Sequence, residues 1–465
     1  MMDEANSPEG GLRRAIGPYR ATAMVVGTII GASIFVQPSE ITGQVPTTLG
    51  IYAVWLVCGV LTLFGALVCA ELASTFPESG GVYVYLREAF SPALGFLWGW
   101  AMFWTMHSGI IAAIAVVFAR YAGFFLPLGD TGTRALAVGA VLALSGVNYL
   151  GVRQGSALQT AVTAGKLVAI ATIIALGFAF GGRAHEVAVL AGEAARGATG
   201  PGVGGVGQTA FGVGGFALAL VAGLFAFGGW HMVTYNAEET RDPRRTIPLA
   251  LMVGIPLVTV CYIALNAVYL YVLPMEVVAS SDRVAADAAD AVFGSGGGAA
   301  MSALVVFSTF GALSGIILAG PRVYFAMARD GLLFSWAAGV HPRHGTPHRA
   351  IVLQAVWSSV LVFTGTYRAL FTRVIYTEWI FFGLMAVGLI LLRRRPGVTR
   401  DYSVWGYPWV PAIFAIFAFG ITANQVVAAP VDSALGLGMV LAGVPVYYLW
   451  ARKGYRTSPS QKDAS

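Results

Sequence analysis

Gly223-Leu-Phe225-Ala-Phe227-Gly228-Gly229-Trp230-His231 lies in the middle of an apolar run, Gly212–Glu238, that is long enough to cross a membrane. About 20 apolar residues suffice to span ~30 Å of hydrocarbon. A glycine pair weakens a helix, and backbone left unpaired at membrane depth survives only where it lines a cavity. A second stretch of the same kind occurs five spans earlier, Val25-Val-Gly27-Thr-Ile-Ile-Gly31-Ala-Ser33-Ile-Phe35-Val. Either stretch alone reads as a close helix contact, the usual reason for small residues in a membrane helix. Together, in matching places of two halves, they predict an inverted-repeat carrier with its site at the midplane. The half-helix ends then offer free N–H groups to a carboxylate and free C=O groups to an ammonium. A zwitterionic amino acid matches both.

The rest of the chain agrees with a membrane setting. Hydrophobic residues make up 57% of its 465 residues and charged residues 11%, more apolar surface than a water-soluble fold can hide. About twelve spans can be read: Gly17–Gly43, Thr48–Phe76, Pro92–Phe125, Arg134–Leu150, Gly155–Gly181, Gly212–Glu238, Ile247–Leu273, Ala299–Met327, Ala350–Thr366, Ala369–Leu392, Trp409–Ala429 and Ser433–Trp450. The expected organisation is one transporter domain over residues 17–451, with repeats at about 17–181 and 212–392 and peripheral helices at about 409–451. Residues 1–16 and 452–465 form two tails. The first sixteen residues are polar and hold no signal-peptide core.

The net charge of +6 is a topology signal and not a nucleic-acid footprint. Arg13, Arg14, Arg20, Arg241, Arg244, Arg245 and the Arg393–Arg395 run fall on one side. Arg120, Arg134, Arg183 and Arg283 are among the fewer on the other. By the positive-inside rule both termini are cytoplasmic, and the expected location is the cell's plasma (inner) membrane. Cys58, Cys69 and Cys261 all fall inside spans, so no disulfide-linked partner is expected. Gly202-Val-Gly204-Gly-Val-Gly207 formally matches a dinucleotide fingerprint, but no strand precedes it. It belongs to a Gly-rich segment, Gly181–Gly215, expected to be a flexible outer loop. A second outer loop, Pro274–Gly298, is expected to carry short surface helices. No Walker-type loop or workable metal-ligand cluster appears, so neither a cofactor nor a metal is expected.

Several stretches together resemble the amino acid–polyamine–organocation superfamily, within it the L-type amino acid transporters and their prokaryotic relatives. They are Val26-Gly-Thr-Ile-Ile-Gly31-Ala-Ser-Ile-Phe35, Ala70-Glu-Leu-Ala-Ser-Thr-Phe-Pro77-Glu-Ser-Gly-Gly81-Val-Tyr83, Thr163-Ala-Gly-Lys166-Leu, Gly223 to Trp230, Ile247-Pro248-Leu249-Ala250 and Gly406-Tyr-Pro-Trp-Val-Pro411. The resemblance implies a leucine-transporter-type fold, an all-α membrane protein of five spans repeated inverted plus two peripheral helices, and sodium-independent amino acid exchange. It implies that a substrate carboxylate meets backbone at Gly31, Ala32 and Ser33. The amino group then meets carbonyls of Ile29, Phe225 and Gly228, with Phe225 as a gating lid and Ser314 beside the side-chain pocket. Two departures bear on substrate choice. The family's usual Gly-Ser-Gly is here Gly31-Ala32-Ser33, and its usual Asn after Gly-Gly-Trp is here His231. The animal relatives' outer-loop Cys has no counterpart between Phe125 and Arg134.

Lys166 lies deep in the fifth span, where a charge costs roughly 2.5–3.5 kcal/mol on insertion scales. Such a residue faces a cavity or pairs with backbone carbonyls. In the resembled family it stands where sodium-driven relatives bind an ion. Glu378, in the outer half of the tenth span, could bind a proton, meet a cationic group or be solvated in a vestibule. His107 is expected to be a neutral interior histidine, and His231 a pocket-lining one. Glu71, Glu238 and Glu239 read as gate or loop contacts, the latter two with Arg241, Arg244 and Arg245 as neighbours. Trp104 and Trp379 read as packing or belt aromatics. Transport of neutral amino acids is the leading expectation. Proton-coupled import, a cationic amino acid or polyamine carrier, an intramembrane hydrolase and an amino acid sensor stay open behind it.

Overall fold

The structure is a computed structural model that describes residues 12–199 and 212–451, except 282, 295, 366 and 398. Helix α1 (Pro18–Ile29) and α2 (Ser33–Gln44) make the first span, broken at residues 30–32. Then come α3 (Thr48–Thr75), a short α4 (Val82–Ala89), α5 (Pro92–Ala101), a π-helical turn over Met102–Met106, and α6 (His107–Ala122). Next are α7 (Asp130–Leu150), α8 (Val152–Thr199) and α9 (Val213–Ala226), which runs into a 3-10 segment, Trp230–Glu239, to complete the sixth span. Helix α10 (Pro243–Val272) leads to short helices α11 (Met275–Ser280) and α12 (Val284–Phe293), then α13 (Gly297–Arg329). A 3-10 turn, Ser335–Ala338, precedes α14 (His348–Thr364), α15 (Tyr367–Leu392), α16 (Trp409–Ala428), α17 (Pro430–Leu441) and α18 (Gly443–Ala451). Counting each broken pair once, and α17 with α18, the described residues form twelve apolar spans and no β-strand.

Local chemistry explains where the helices start. Proline stands in the first turn of α1, α5, α10 and α17, where its missing N–H is an orphan in any case. Thr47 and Ser91 cap α3 and α5, their hydroxyls accepting from Gly50 N (3.2 Å) and Leu94 N (3.3 Å). Helix α1 is enclosed by α8, α10 and α13, while α10 also lies along α3 and α13 along α6. The outer ring turns apolar side chains such as Leu49, Val427 and Ile416 outward, as a lipid-facing surface requires. The chain is a multi-pass membrane protein.

The expected surface helices of the Pro274–Gly298 loop are α11 and α12. The expected loop after Gly181 is different: α8 continues to Thr199. Ala-rich sequence from Ala184 to Ala198 favours helix, and it outweighs the glycines that suggested a loop. The Gly202–Gly207 motif lies outside the described residues.

On the face that holds the N-terminal segment, ion pairs and backbone bonds close the bundle. Ala15 N and Ile16 N donate to the Glu239 carbonyl (2.9 and 3.0 Å), and Arg241 N donates to Ile16 O (2.8 Å). Glu239 and Arg322 form a fully buried two-point pair at 2.7 and 2.8 Å, and Arg329 holds Glu238 at 2.8 Å. The partners of this glutamate pair are therefore Arg322 and Arg329 of α13, not the nearby Arg244 and Arg245. Arg244 instead pairs with Asp401, and Arg245 stands near Asp242. Arg87 on α4 bonds Asp330, with Glu78 and Glu88 at 2.9 and 2.8 Å. Burial opposes its charge, but Asp330, Tyr83, Glu88 and Glu78 outweigh burial and raise its pKa above the usual arginine value. Glu71 accepts from Arg393 (2.7 Å) and from Val404 N (2.6 Å), tying α3 to the end of α15.

Candidate functional site

The break in the first span is held open by side chains from three other helices. Where the helix stops, its last carbonyls lose their intrahelical donors. Lys166 of α8 donates to two of these acceptors, Gly27 O at 3.1 Å and Ile30 O at 2.6 Å. Ser308 of α13 donates to Gly31 O at 3.2 Å. The Tyr262 hydroxyl of α10 stands 3.1 Å from Ile29 O and 3.0 Å from Ala226 O, so a single proton bridges the first break to the second. Helix α2 restarts at Ser33 with no side-chain cap; Phe35 N donates to Ala32 O at 3.0 Å, and the N–H groups of Ser33 and Ile34 are left open to a ligand.

The second break follows from one backbone position. Gly229 has φ +95°, in the left-handed region, and a Cβ there would lie 3.2 Å from Thr28 O. Only glycine fits both demands. The Thr28 hydroxyl approaches Gly229 O at 3.3 Å while bonding back to Met24 O at 2.7 Å. The two breaks therefore face each other across a few ångströms.

Between them lies a cavity of about 510 Å³. Its wall contains Ile29, Gly31, Ala32, Ser33, Phe225, Gly228, His231 and Glu378, so most of the residues expected from the sequence come together. Phe225, the expected lid, is 44% exposed on that wall. Ser314 is buried and is not part of the wall; Thr309, Ala312 and Ile316 represent α13 there. Those three share a helix face at i, i+3 and i+7, and position 314 points elsewhere. Lys166 also stands outside the wall, behind the first break. Trp379, expected as packing, lines the cavity, whereas Trp104 packs against Trp100, Phe103 and Trp357. His107 is buried with Nε2 2.9 Å from Ile316 O, which requires that nitrogen to carry a proton and donate.

Other residues of the site went unrecognised in the sequence. Tyr262, Ser308, Gln37 and Tyr121 read as ordinary polar or aromatic members of their spans. Their only signal was hydrogen-bonding capacity at membrane depth. The apolar side of the cavity is built mainly by Ile110, Ala113, Ile114 and Val117 of α6 with Phe382 of α15. The chemistry on offer is recognition without reaction. Amide donors at the start of α2 suit an anion, carbonyls at the ends of α1 and α9 suit a cation, and a roomy apolar wall lies beside them.

Comparison with known proteins agrees with this geometry. Residues 16–449 match the family described as amino acid permease. The chain is 31% identical over 447 residues to the serine/threonine exchanger SteT of Bacillus subtilis (strain 168), covering 95% of this chain and 98% of that one. It is 32% identical over 462 residues to the human large neutral amino acids transporter small subunit 2, covering 97% and 84%. It is 31% identical over 456 residues to the human b(0,+)-type amino acid transporter 1, covering 95% and 90%. With its broken first and sixth spans, the chain belongs to the amino acid permease family, a family of membrane transporters and not of enzymes.

Proposed function

We propose that this protein is a secondary carrier that exchanges neutral amino acids across the plasma membrane by alternating access, without sodium. The observation that carries this reading is the pairing of two helix breaks on one cavity, with amide donors from α2 and carbonyl acceptors from α1 and α9. A zwitterion satisfies both sets at once, and neither an isolated acid nor an isolated amine does. Gly31, Ala32 and Ser33 take the carboxylate; carbonyls of Ile29, Phe225 and Gly228 take the ammonium; Phe225 closes over the substrate. Lys166 places its ammonium on the carbonyls behind the first break, which removes the need for a metal cation there.

The ion pairs on the N-terminal face and the exposed Phe225 support an outward-facing state, sealed inside and open outside. Both tails, residues 1–16 and 452–465, lie in the cytoplasm. Residues 17–181 and 212–392 act as the two repeats, and 409–451 as periphery. The positive residues clustered on the sealed face support that orientation. The three cysteines lie within α3 and α10, which supports function without a disulfide-linked partner.

Ser33→Cys, with Cys261 replaced by Ser, tests the reading by alkylation with a membrane-impermeant thiol reagent. Neutral amino acids should protect the new thiol. Analogues lacking the amino or the carboxyl group should not. Equal protection by those analogues, or none by any amino acid, would contradict the proposal.

A further inference from the structure

Among the described residues Glu378 is the one carboxylate on the wall of the cavity, and none of their side chains satisfies it. Beside it stands His231, whose Nε2 is 3.6 Å from Glu378 Oε1, beyond hydrogen-bonding range. The His231 ring is 1% exposed and neither of its nitrogens has a hydrogen-bond partner. Trp98, Trp230, Tyr235 and Phe382 surround it, with ring centroids 6.0, 5.4, 5.4 and 4.8 Å distant. An imidazole and a carboxylate thus stand side by side at the cavity without satisfying each other, beside a wall that is otherwise largely apolar. Unpaired polar groups at such depth are costly. They are retained where a ligand completes them.

Building on the exchange reading above, we propose that Glu378 and His231 form a side-chain subsite for amino acids carrying a hydrogen-bond donor, a hydroxyl or an ammonium. The donor makes a hydrogen bond that the Glu378 carboxylate accepts. With a hydroxyl substrate, the same oxygen accepts from the N–H at His231 Nε2, so one group pairs with both residues. An apolar side chain of equal shape leaves both unpaired, and sites built to bond a donor reject analogues that lack it far better than apolar pockets reject an extra group. The substrates set apart by this subsite are therefore polar members of the neutral class, with short cationic amino acids as the other source of the same chemistry.

The test is competition against labelled substrate during exchange by the full-length protein in proteoliposomes, read as ratios of half-inhibitory concentrations within each variant. Threonine is compared with valine, which replaces the hydroxyl by a methyl, and ornithine with norleucine. In the wild type, a donor-bearing compound should compete at least roughly tenfold better than its apolar counterpart. A preference in the first pair alone identifies the hydroxyl as the partner, and one in the second pair alone identifies the ammonium. Glu378→Met should bring the preferred ratio to near one while valine still competes. His231→Asn should reduce the threonine ratio more than the ornithine ratio. No donor preference in the wild type, or one that Glu378→Met leaves unchanged, overturns the subsite. Absence of exchange with every amino acid would overturn the carrier reading instead, and uptake of the apolar members separates the two.

Discussion

Replacing Lys166 by Met keeps the length and most of the packing of the side chain and removes its charge. The wild-type ammonium makes two bonds to carbonyls, at 3.1 and 2.6 Å. Bonds from a charged donor contribute about 1.5–3 kcal/mol each, so about 3–6 kcal/mol of gross interaction disappears. The same substitution relieves the cost of holding a charge in the membrane, about 2.5–3.5 kcal/mol. The two nearly offset, leaving a net loss on the order of 1–2 kcal/mol in overall stability. The loss falls on Gly27 O and Ile30 O, which must then find new donors at the break. If the open break is favoured less by about 1.4 kcal/mol, its population falls about tenfold and the apparent substrate affinity falls with it. Lys166→Met should therefore melt within a few degrees of the wild type, yet need at least about tenfold more substrate for half-maximal counterflow. A partial return of affinity in sodium would fit two freed carbonyls accepting a metal cation. Unchanged half-saturation in Lys166→Met, with intact folding, would refute the assignment of Lys166 to the break.

Other perturbations follow from the same structure. Glu239→Gln leaves Arg322 buried without its counter-charge, and breaking such a pair costs about 3–5 kcal/mol; thermal unfolding in detergent should show a large drop. The double change Glu239→Leu with Arg322→Met should recover most of that stability, and a double variant as unstable as the single one contradicts the argument. Gly229→Ala forces a side chain into φ +95° beside Thr28 O, a strain of about 1–3 kcal/mol, and should reduce exchange at least about tenfold in the proteoliposome assay. Gly27→Ala places a Cβ 2.1 Å from Thr163 Oγ1 and should destabilise by about 1–3 kcal/mol. Gly139→Ala, with nothing within 4 Å of the new atom, should leave melting and transport unchanged.

The membrane spans and both breaks were legible in the sequence because each rests on a local rule. Hydrophobic length marks a span, and glycine at membrane depth marks a break. Lys166 was legible for the same reason, since a deep charge must find carbonyls. What was hidden depends on contacts between residues far apart in the chain. Glu239 and Arg322 are 83 positions apart, and nothing local prefers that arginine over Arg244. Tyr262 bridges Ile29 and Ala226 only because α10 lies against α1. The face of α13 that meets the cavity was misjudged by family position: Ser314 is two residues from Ala312, about 200° around the helix. The helical run beyond Gly181 was hidden by glycines in a segment that is otherwise rich in helix formers.

The most direct test of exchange at the paired breaks is uptake of labelled threonine into proteoliposomes, either preloaded with unlabelled amino acid or empty, without sodium and at equal pH. The account predicts rapid uptake into preloaded vesicles and little into empty ones. Equal uptake into both, or uptake that appears only when sodium is added, would contradict it.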